Sequence, residues 1–537
     1  MTSTERTVRD AVYEVLRARR LTRIFANPGS TEVSFLGAMP DDFEFVLALH
    51  EGPLVGMASG YAIGRGEPSF VLLHTTAGLG HAVSALATAR VNRAPLVVLV
   101  GQQDRRHLAQ EPFLTGRLDG LAGDYPVWVT QPVRPQDVPG AVARAWHEAR
   151  AGRGPALVIV PMDDWLAPAG EPHELTAPER SLEARAAEPS AVAELAALLA
   201  EAESPALVVG AGADDPAAWA GLVDLAERLA CPVWQEAFGA RAGFPQDHPR
   251  FAGHLPAGRQ RLRETLAGHD LVLTVGAPVF RQYPYEPGPL VDEGTRLAIV
   301  TDDPDEAHRS PVELALVASP AAVCAELARV VPPRDGPAPQ PLERPPAPQP
   351  PAAGEPLLAG HVLEALRQRL PEDAVVVEEA PSNKLDLLER LPARRPLGFL
   401  AAAMGGLGFG LSAPIGLRMA LPERPVVAVV GDGSALYVIQ ALWSAVRYRA
   451  GAIFVVLAND GYQVMNRLAE SQGEPAQWPG FDGIDITAMA RAQGCQAQRV
   501  ETHEALEAAL DDALADPARS EPVLLEVVVA PDSDFRF

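Results

Sequence analysis

Short apolar runs punctuate the chain from end to end, and the segments between them carry helical spacing. "RIFAN", "FEFVLAL", "PSFVLLH", "PLVVLVG" and "PALVIVP" read as strands, separated by stretches such as "EGPLVGMASGYAIGRG" and "GLGHAVSALATARVN". A second series begins near Pro205 with "PALVVG", "CPVWQE", "DLVLTVG" and "RLAIVT". A third begins near Gly360 with "AVVVEE", "PVVAVVGDG", "AIFVVLAND" and "PVLLEVVV". Strands that are apolar throughout, alternating with helices, predict parallel sheets covered on both faces.

At 537 residues the chain is too long for one core. Two breaks divide it. "VVPPRDGPAPQPLERPPAPQPPAAGEP" is a proline-rich extended linker that no helix or strand interior could contain, and residues 167–190 form a weaker one. Three doubly wound parallel α/β domains are expected, at 1–175, 188–330 and 357–537, with 331–356 as linker.

The chemistry concentrates in "VVAVVGDGSALYVIQALWSAVRYRAGAIFVVLANDGY", residues 426–462. One apolar run ends at Asp432 and the next at Asn459, and a helix-length crossover lies between them. Parallel sheets bind ligands at the carboxyl ends of their strands. The two side chains can therefore converge as hard oxygen donors, which suit Mg²⁺, with Ca²⁺ the alternative. The Gly433-Ser434 turn opens a helix whose N–H groups favour a diphosphate. Asp-Gly and Asn-Asp-Gly taken singly are ordinary turns; the pair, each on a strand end, points to a metal–diphosphate site.

Charge and composition narrow the rest. A formal charge of −24 argues against nucleic-acid binding. Cys231, Cys324 and Cys495 are too few and too scattered for a disulfide framework or a four-thiolate metal site. Lys384 is the single lysine, so a phosphate-binding P-loop is absent and lysine Schiff-base chemistry is disfavoured. No apolar stretch approaches the roughly 18 residues of a membrane span. The charged start "MTSTERTVRD" lacks a secretory signal's apolar region, so a cytoplasmic protein is expected.

Gly431-Asp432-Gly433-Ser434, with 26 residues between Asp432 and Asn459, resembles the thiamine diphosphate motif. In that family the aspartate, the asparagine and a carbonyl two residues later, here Gly461, hold Mg²⁺. Members often read Asn-Asn where this chain has Ala458-Asn459. "NPGSTEVSFL", "LALHEGPLVG", "LHTTAGLGHAVSAL", "VGAPVFR" and "AAAMGGLGFGLSAPIG" are similar to the 2-oxo acid decarboxylases, nearest the benzoylformate decarboxylase branch. The resemblance implies pyrimidine-binding, central and diphosphate-binding domains in that order. It also implies sites shared between subunits, hence at least a homodimer and usually a homotetramer.

Carried over by position, Glu51 is the carboxylate that hydrogen-bonds the cofactor's aminopyrimidine. Between apolar neighbours it is shielded from water, as that bond requires. Read without the family, it is a glutamate favoured by a helix N-terminus. The resemblance gives Leu407 as the wedge under the cofactor, Gly405 as a carbonyl contact, and Ser382 and Asn383 as the start of the diphosphate contacts. Ser30 matches a serine that holds the substrate carboxylate, and its alternative is a helix cap. His74 matches a proton-relaying histidine, suited to acid–base work near neutral pH.

One departure stands out. Where the branch carries a second catalytic histidine, this chain has Tyr283, whose phenol, with a pKa of about 10, is a poor proton carrier at pH 7. His50 or His107 would have to replace that relay, and His50 stands where the relatives have glutamine. Phe113, Leu114, Ala402, Val464, Met465 and Leu468 would wall the substrate pocket, with His50 nearby. The apolar wall suits an aryl or branched 2-oxo acid.

The expected activity is therefore non-oxidative decarboxylation of such an acid to an aldehyde, with a carboligase forming 2-hydroxy ketones as the alternative. Two other classes fit less well. A nicotinamide oxidoreductase could be read from "VVGAGADDP", but Asp214 stands where the third glycine of G-x-G-x-x-G belongs. A binding-only protein would gain nothing from Glu51.

Overall fold

The computed structural model describes residues 6–171, 177–179, 181, 186–336, 342–352, 354–475 and 478–531. The expected boundary at 175 and parts of both linkers (172–176, 180, 182–185, 337–341 and 353) lie outside them.

Three six-stranded, all-parallel sheets organise the chain. The first contains β1 (Arg23–Ala26), β2 (Glu44–Leu47), β3 (Ser69–Leu73), β4 (Leu96–Gln102), β5 (Trp128–Thr130) and β6 (Pro155–Pro161). The second contains β7 (Pro205–Val209), β8 (Val233–Gln235), β9 (Phe251–His254), β10 (Leu271–Val275), β11 (Arg296–Thr301) and β12 (Leu314–Val317). The third contains β13 (Val375–Glu379), β14 (Phe399–Ala401), β15 (Val426–Gly431), β16 (Ile453–Ala458), β17 (Gln496–Val500) and β18 (Val523–Val528).

The first and third sheets share one strand order, β2-β1-β3-β4-β6-β5 and β14-β13-β15-β16-β18-β17. The second runs β12-β11-β10-β7-β8-β9. In each outer sheet the order reverses between its first and third strands, β1 and β3 or β13 and β15. Open α/β sheets bind ligands at such a switch, outside the strands' carboxyl ends. The first switch opens at Asn27 and His74, and the third at Ala380 and Asp432.

A single apolar core joins the outer sheets. It runs from Phe25, Val71 and Val98 through Leu54 and Met57 to Leu411, Ile415, Val430 and Phe454. At its centre the helix Glu51–Arg65 packs on the helix Phe409–Ala420 through small residues. A Cβ on Gly60 would lie 2.1 Å from the Ala413 carbonyl oxygen, and one on Gly416 1.8 Å from that of Met57. Gly56 faces Ser412 and Gly64 faces Ala420, so the helices run in the same direction with their backbones in contact.

The described part of the proline-rich linker forms no helix or strand and is strapped down instead. Arg344 donates to the Gln246 carbonyl at 2.6 Å and the Glu389 carbonyl at 2.5 Å, and the Gln349 carbonyl meets His361 Nε2 at 2.8 Å. Among the described residues no helix is long and apolar enough to cross a membrane.

Two glycine substitutions should separate packing from helix propensity. Gly80, in the helix Thr75–Val91, has nothing within 4 Å of the position a methyl would take, so Gly80→Ala should gain up to about 1 kcal/mol. Gly416→Ala makes the same exchange inside a helix, yet should lose about 1–3 kcal/mol because the methyl meets backbone. Thermal unfolding of both variants measures this, and equal shifts would refute the close helix contact.

Candidate active site

The first switch gathers acid and imidazole groups. After β1 the chain turns through Asn27-Pro28-Gly29 into a single turn, Ser30–Glu32, that leaves Ser30 exposed and buries Glu32. Glu32 Oε2 accepts the Gly29 N–H at 3.0 Å and faces His74 Nδ1 at 3.0 Å. Its other oxygen takes the Thr31 hydroxyl, whose Oγ1 also lies 2.9 Å from His74 Nδ1. A carboxylate can only accept, so His74 carries its proton on Nδ1 and keeps Nε2 for another partner. The approach is close: a Cβ on Gly29 would lie 2.2 Å from the His74 ring.

His74 is held above its ordinary pKa of 6.5, first by the hydrogen bond to Glu32 and then by the negative charges of Glu32 and Glu51, against the opposing effect of burial. Its charged form is therefore favoured in the fold, and the pair stabilises the protein most at low pH. That contribution is complete below 6.5 and disappears as pH rises through the folded value.

Glu51 opens its helix just beyond β2 and is 7% exposed. Asn27 Nδ2 donates to Oε1 at 3.1 Å, and His81 Nδ1 stands 3.2 Å from Oε2. His50 caps the same helix, its Nδ1 accepting the Gly52 N–H at 3.0 Å. Its ring stacks on that of His81 with centroids 5.1 Å apart and planes 22° from parallel.

The third switch holds a cavity of about 410 Å³. Ser382, Asn383, Gly405 and Leu407 line it together with Asp432, Gly433, Ser434, Asn459, Gly461, Val464 and Met465. Asp432 is buried, and its oxygens accept four backbone N–H groups: Gly433 at 2.7 Å, Asn459 at 2.9 Å, Asp460 at 2.8 Å and Gly461 at 3.3 Å. Burial raises its pKa despite those donors. Asn459 Oδ1 is buried beside it with no hydrogen-bond partner. An orphaned amide oxygen next to a desolvated carboxylate is a donor set that a hard cation would satisfy, so these residues fit Mg²⁺ or Ca²⁺.

The glycine loop before the helix Phe409–Ala420 is shaped by a buried acid. Gly405 and Gly408 take φ of 72° and 101°, conformations that favour glycine. Glu379, ending β13, accepts the N–H groups of Gly408 and Gly410, both at 2.7 Å. Burial pushes its pKa up to about 8. Ser382 Oγ accepts the Val464 N–H at 3.1 Å, tying the first wall of the cavity to the last.

The cavity gathers the residues read from sequence as diphosphate and metal ligands, with Val464 and Met465 of the pocket. His50, Glu51 and His74 belong to the separate groups on the first sheet, Ser30 is exposed on its turn, and none of the four lines this cavity. Phe113, Leu114, Ala402, Leu468 and Tyr283 line neither. Phe113 is 87% exposed, Leu114 takes φ of 69°, and Tyr283 sits half exposed in a loop after β10. Ala402 is held against the first domain, where Asn92 bonds the Ala401 carbonyl and the Ala403 N–H, both at 2.9 Å.

Four polar residues escaped the sequence reading: Asn27, Glu32, His81 and Glu379. Glu379 ends an apolar run in "VVVEE", the same signal that marked Asp432. His81 lies two helical turns beyond His74, on the same side. Asn27 and Glu32 sit in a turn whose letters carry no mark of burial.

The class is that of an enzyme whose first and last domains both bind a cofactor. Residues 6–122 match the thiamine pyrophosphate enzyme N-terminal TPP binding domain, 192–327 the central domain and 383–527 the C-terminal TPP binding domain. The chain belongs to the thiamine pyrophosphate enzyme family. It is 40% identical over 529 residues to benzoylformate decarboxylase of Pseudomonas aeruginosa, covering 97% of this chain and 98% of that protein. Among solved structures it resembles the thiamine diphosphate-dependent 4-hydroxybenzoylformate decarboxylase of Rhodococcus jostii RHA1, with TM-score 0.93 and 38% identity over 98% of this chain and 100% of that one. It likewise resembles benzoylformate decarboxylase from Polynucleobacter necessarius, with TM-score 0.92 and 34% identity over 98% and 99%.

Glu32→Gln removes the charge that raises the His74 pKa. The imidazole pKa should fall toward 6.5, followed by the His74 ring signals in an NMR pH titration. An unchanged pKa would show that Glu32 does not set the histidine's charge.

Proposed function

We propose that this protein decarboxylates an aromatic or apolar 2-oxo acid to the aldehyde, using thiamine diphosphate and Mg²⁺. The observation that carries the reading is that one chain holds both an Asp432–Asn459 oxygen site with an orphaned amide oxygen and, on another sheet, a shielded carboxylate at Glu51. Asp432, Asn459 Oδ1 and the Gly461 carbonyl would hold the metal. Ser382, Asn383, Gly433 and Ser434 would contact the diphosphate, and Gly405 and Leu407 would support the rings. When bound, thiamine diphosphate supplies an electron sink for the pair left as CO₂ departs.

The chain's own groups then position the substrate and move protons. Glu51, fixed by Asn27 and screened from water, holds a proton at the aminopyrimidine nitrogen. Ser30 binds the substrate carboxylate through its hydroxyl. His74, oriented through Nδ1 by Glu32, exchanges a proton at Nε2. Leu407, Val464 and Met465 give the cavity an apolar wall that fits an aryl group. Phe113, Leu114, Ala402, Leu468 and His50 would complete the pocket once a second copy of the chain brings its own cluster to this cavity. A homodimer is thus the smallest active unit in this reading, and a homotetramer fits the family.

One observation favours carboligation as a second outcome. Tyr283 stands where a second histidine would be expected, which leaves His74 as the one imidazole among the proposed proton carriers that is oriented by Glu32. Slower protonation would give an aldehyde time to be captured as a 2-hydroxy ketone.

Purified protein with thiamine diphosphate, Mg²⁺ and a panel of 2-oxo acids, with and without aldehydes, tests both readings. CO₂ and product are measured together. Arylglyoxylates should be turned over, and Glu51→Gln should cost at least about 100-fold in kcat. Turnover of no acid, or full activity in the variant, would overturn the proposal.

A further inference from the structure

His50, Glu51 and His81 each offer a ligand atom, and those atoms all lie within 4.8 Å of one another. We propose that they form a site for a first-row transition-metal ion, Zn²⁺ foremost, whose occupancy withdraws the Glu51 carboxylate from the cofactor. That consequence rests on the function proposed above, whereas the site itself does not.

Two of the three ligand atoms already stand at the separation the ion needs, and the His50 ring must turn to bring in the third. His81 Nδ1 and Glu51 Oε2 are 3.2 Å apart. An ion bonded to both at about 2.0–2.1 Å would see them at an angle of about 105°, near tetrahedral. The metal would take the place of the proton shared between those two atoms, which makes binding stronger as pH rises. His50 supplies the third ligand from a ring already stacked on His81. Binding through Nδ1 would release His50 from the Gly52 N–H that it now accepts.

Chemistry and access both select the ion. Two imidazoles and one carboxylate leave a fourth position for water and suit Zn²⁺, Co²⁺ or Ni²⁺. The Asp432 site offers oxygens alone and suits Mg²⁺ or Ca²⁺. In the single chain the His81 side chain is 59% exposed, so an ion can enter from the side that a partner's cavity would otherwise face, while the Glu51 side chain beneath it is 9% exposed.

Co²⁺ titrated into the full-length protein, freed of cofactor and metals, reports the site through its visible spectrum. One equivalent should give the intense bands of four-coordinate Co²⁺, displaced by Zn²⁺. His81→Asn, at an exposed position, and His50→Gln should each weaken binding by at least about 100-fold, more than the loss of a residue that only supports a ligand. Asp432→Asn should leave the bands in place, with circular dichroism checking that every variant is folded. Absent bands, bands that survive both histidine substitutions, or bands lost in Asp432→Asn would overturn the site. With the site established, Zn²⁺ should inhibit decarboxylation in competition with thiamine diphosphate, and inhibition unaffected by the cofactor would overturn the consequence. A protein that binds Co²⁺ in this way but turns over no 2-oxo acid would retain the site and lose the proposed function.

Discussion

The backbone contact between the helices Glu51–Arg65 and Phe409–Ala420 is the constraint on which the rest of the architecture depends. Each helix begins beside a functional segment: Glu51 is the first residue of one, and the Gly405–Gly408 loop leads into the other. Gly60 and Gly416 let the backbones touch, so neither helix can slide without a steric clash. The shared core on either side then fixes both outer sheets to this pair. How the two outer sheets, and so their switch points, sit against each other therefore depends on two glycines that do not line the cavity.

Buried acids do the local shaping. Glu32, Glu51, Glu379 and Asp432 are all less than a tenth exposed, a placement that is costly unless each oxygen finds a donor. They do so in three ways. Glu379 and Asp432 collect backbone N–H groups and thereby set the loops around the cavity. Glu32 binds an imidazole and fixes its tautomer, while Glu51 rests between an amide and an imidazole. The same desolvation that makes these groups expensive gives them strong fields at short range.

Much of the fold was legible because central parallel strands are apolar on both faces. The strands β5, β9, β12, β14 and β17 escaped, and all lie at sheet edges. There one side of the strand is unpaired and the pattern is short or mixed; β17, for example, reads "QAQRV" and is mostly solvent-facing. At the site, Asp432 and Asn459 announced themselves because a polar residue ending an apolar run is a strong local signal. Asn27, Glu32 and His81 gave no such signal, since their partners lie in other segments and only the folded chain brings them together. The ligand-to-strand rule located the strand ends at Asp432 and Asn459, but the switch points needed the strand order, and the buried pairing of His74 with Glu32 depends on a turn that sequence spacing does not specify.

The central claim is that Glu51 activates a cofactor anchored by Asp432 and Asn459. The rate of C2 hydrogen–deuterium exchange of bound thiamine diphosphate, quenched and read by NMR, tests it most directly. The account predicts rapid exchange in the native protein, and a rate at least about 100-fold slower in Glu51→Gln with the cofactor still bound. Exchange at the native rate in that variant would contradict it.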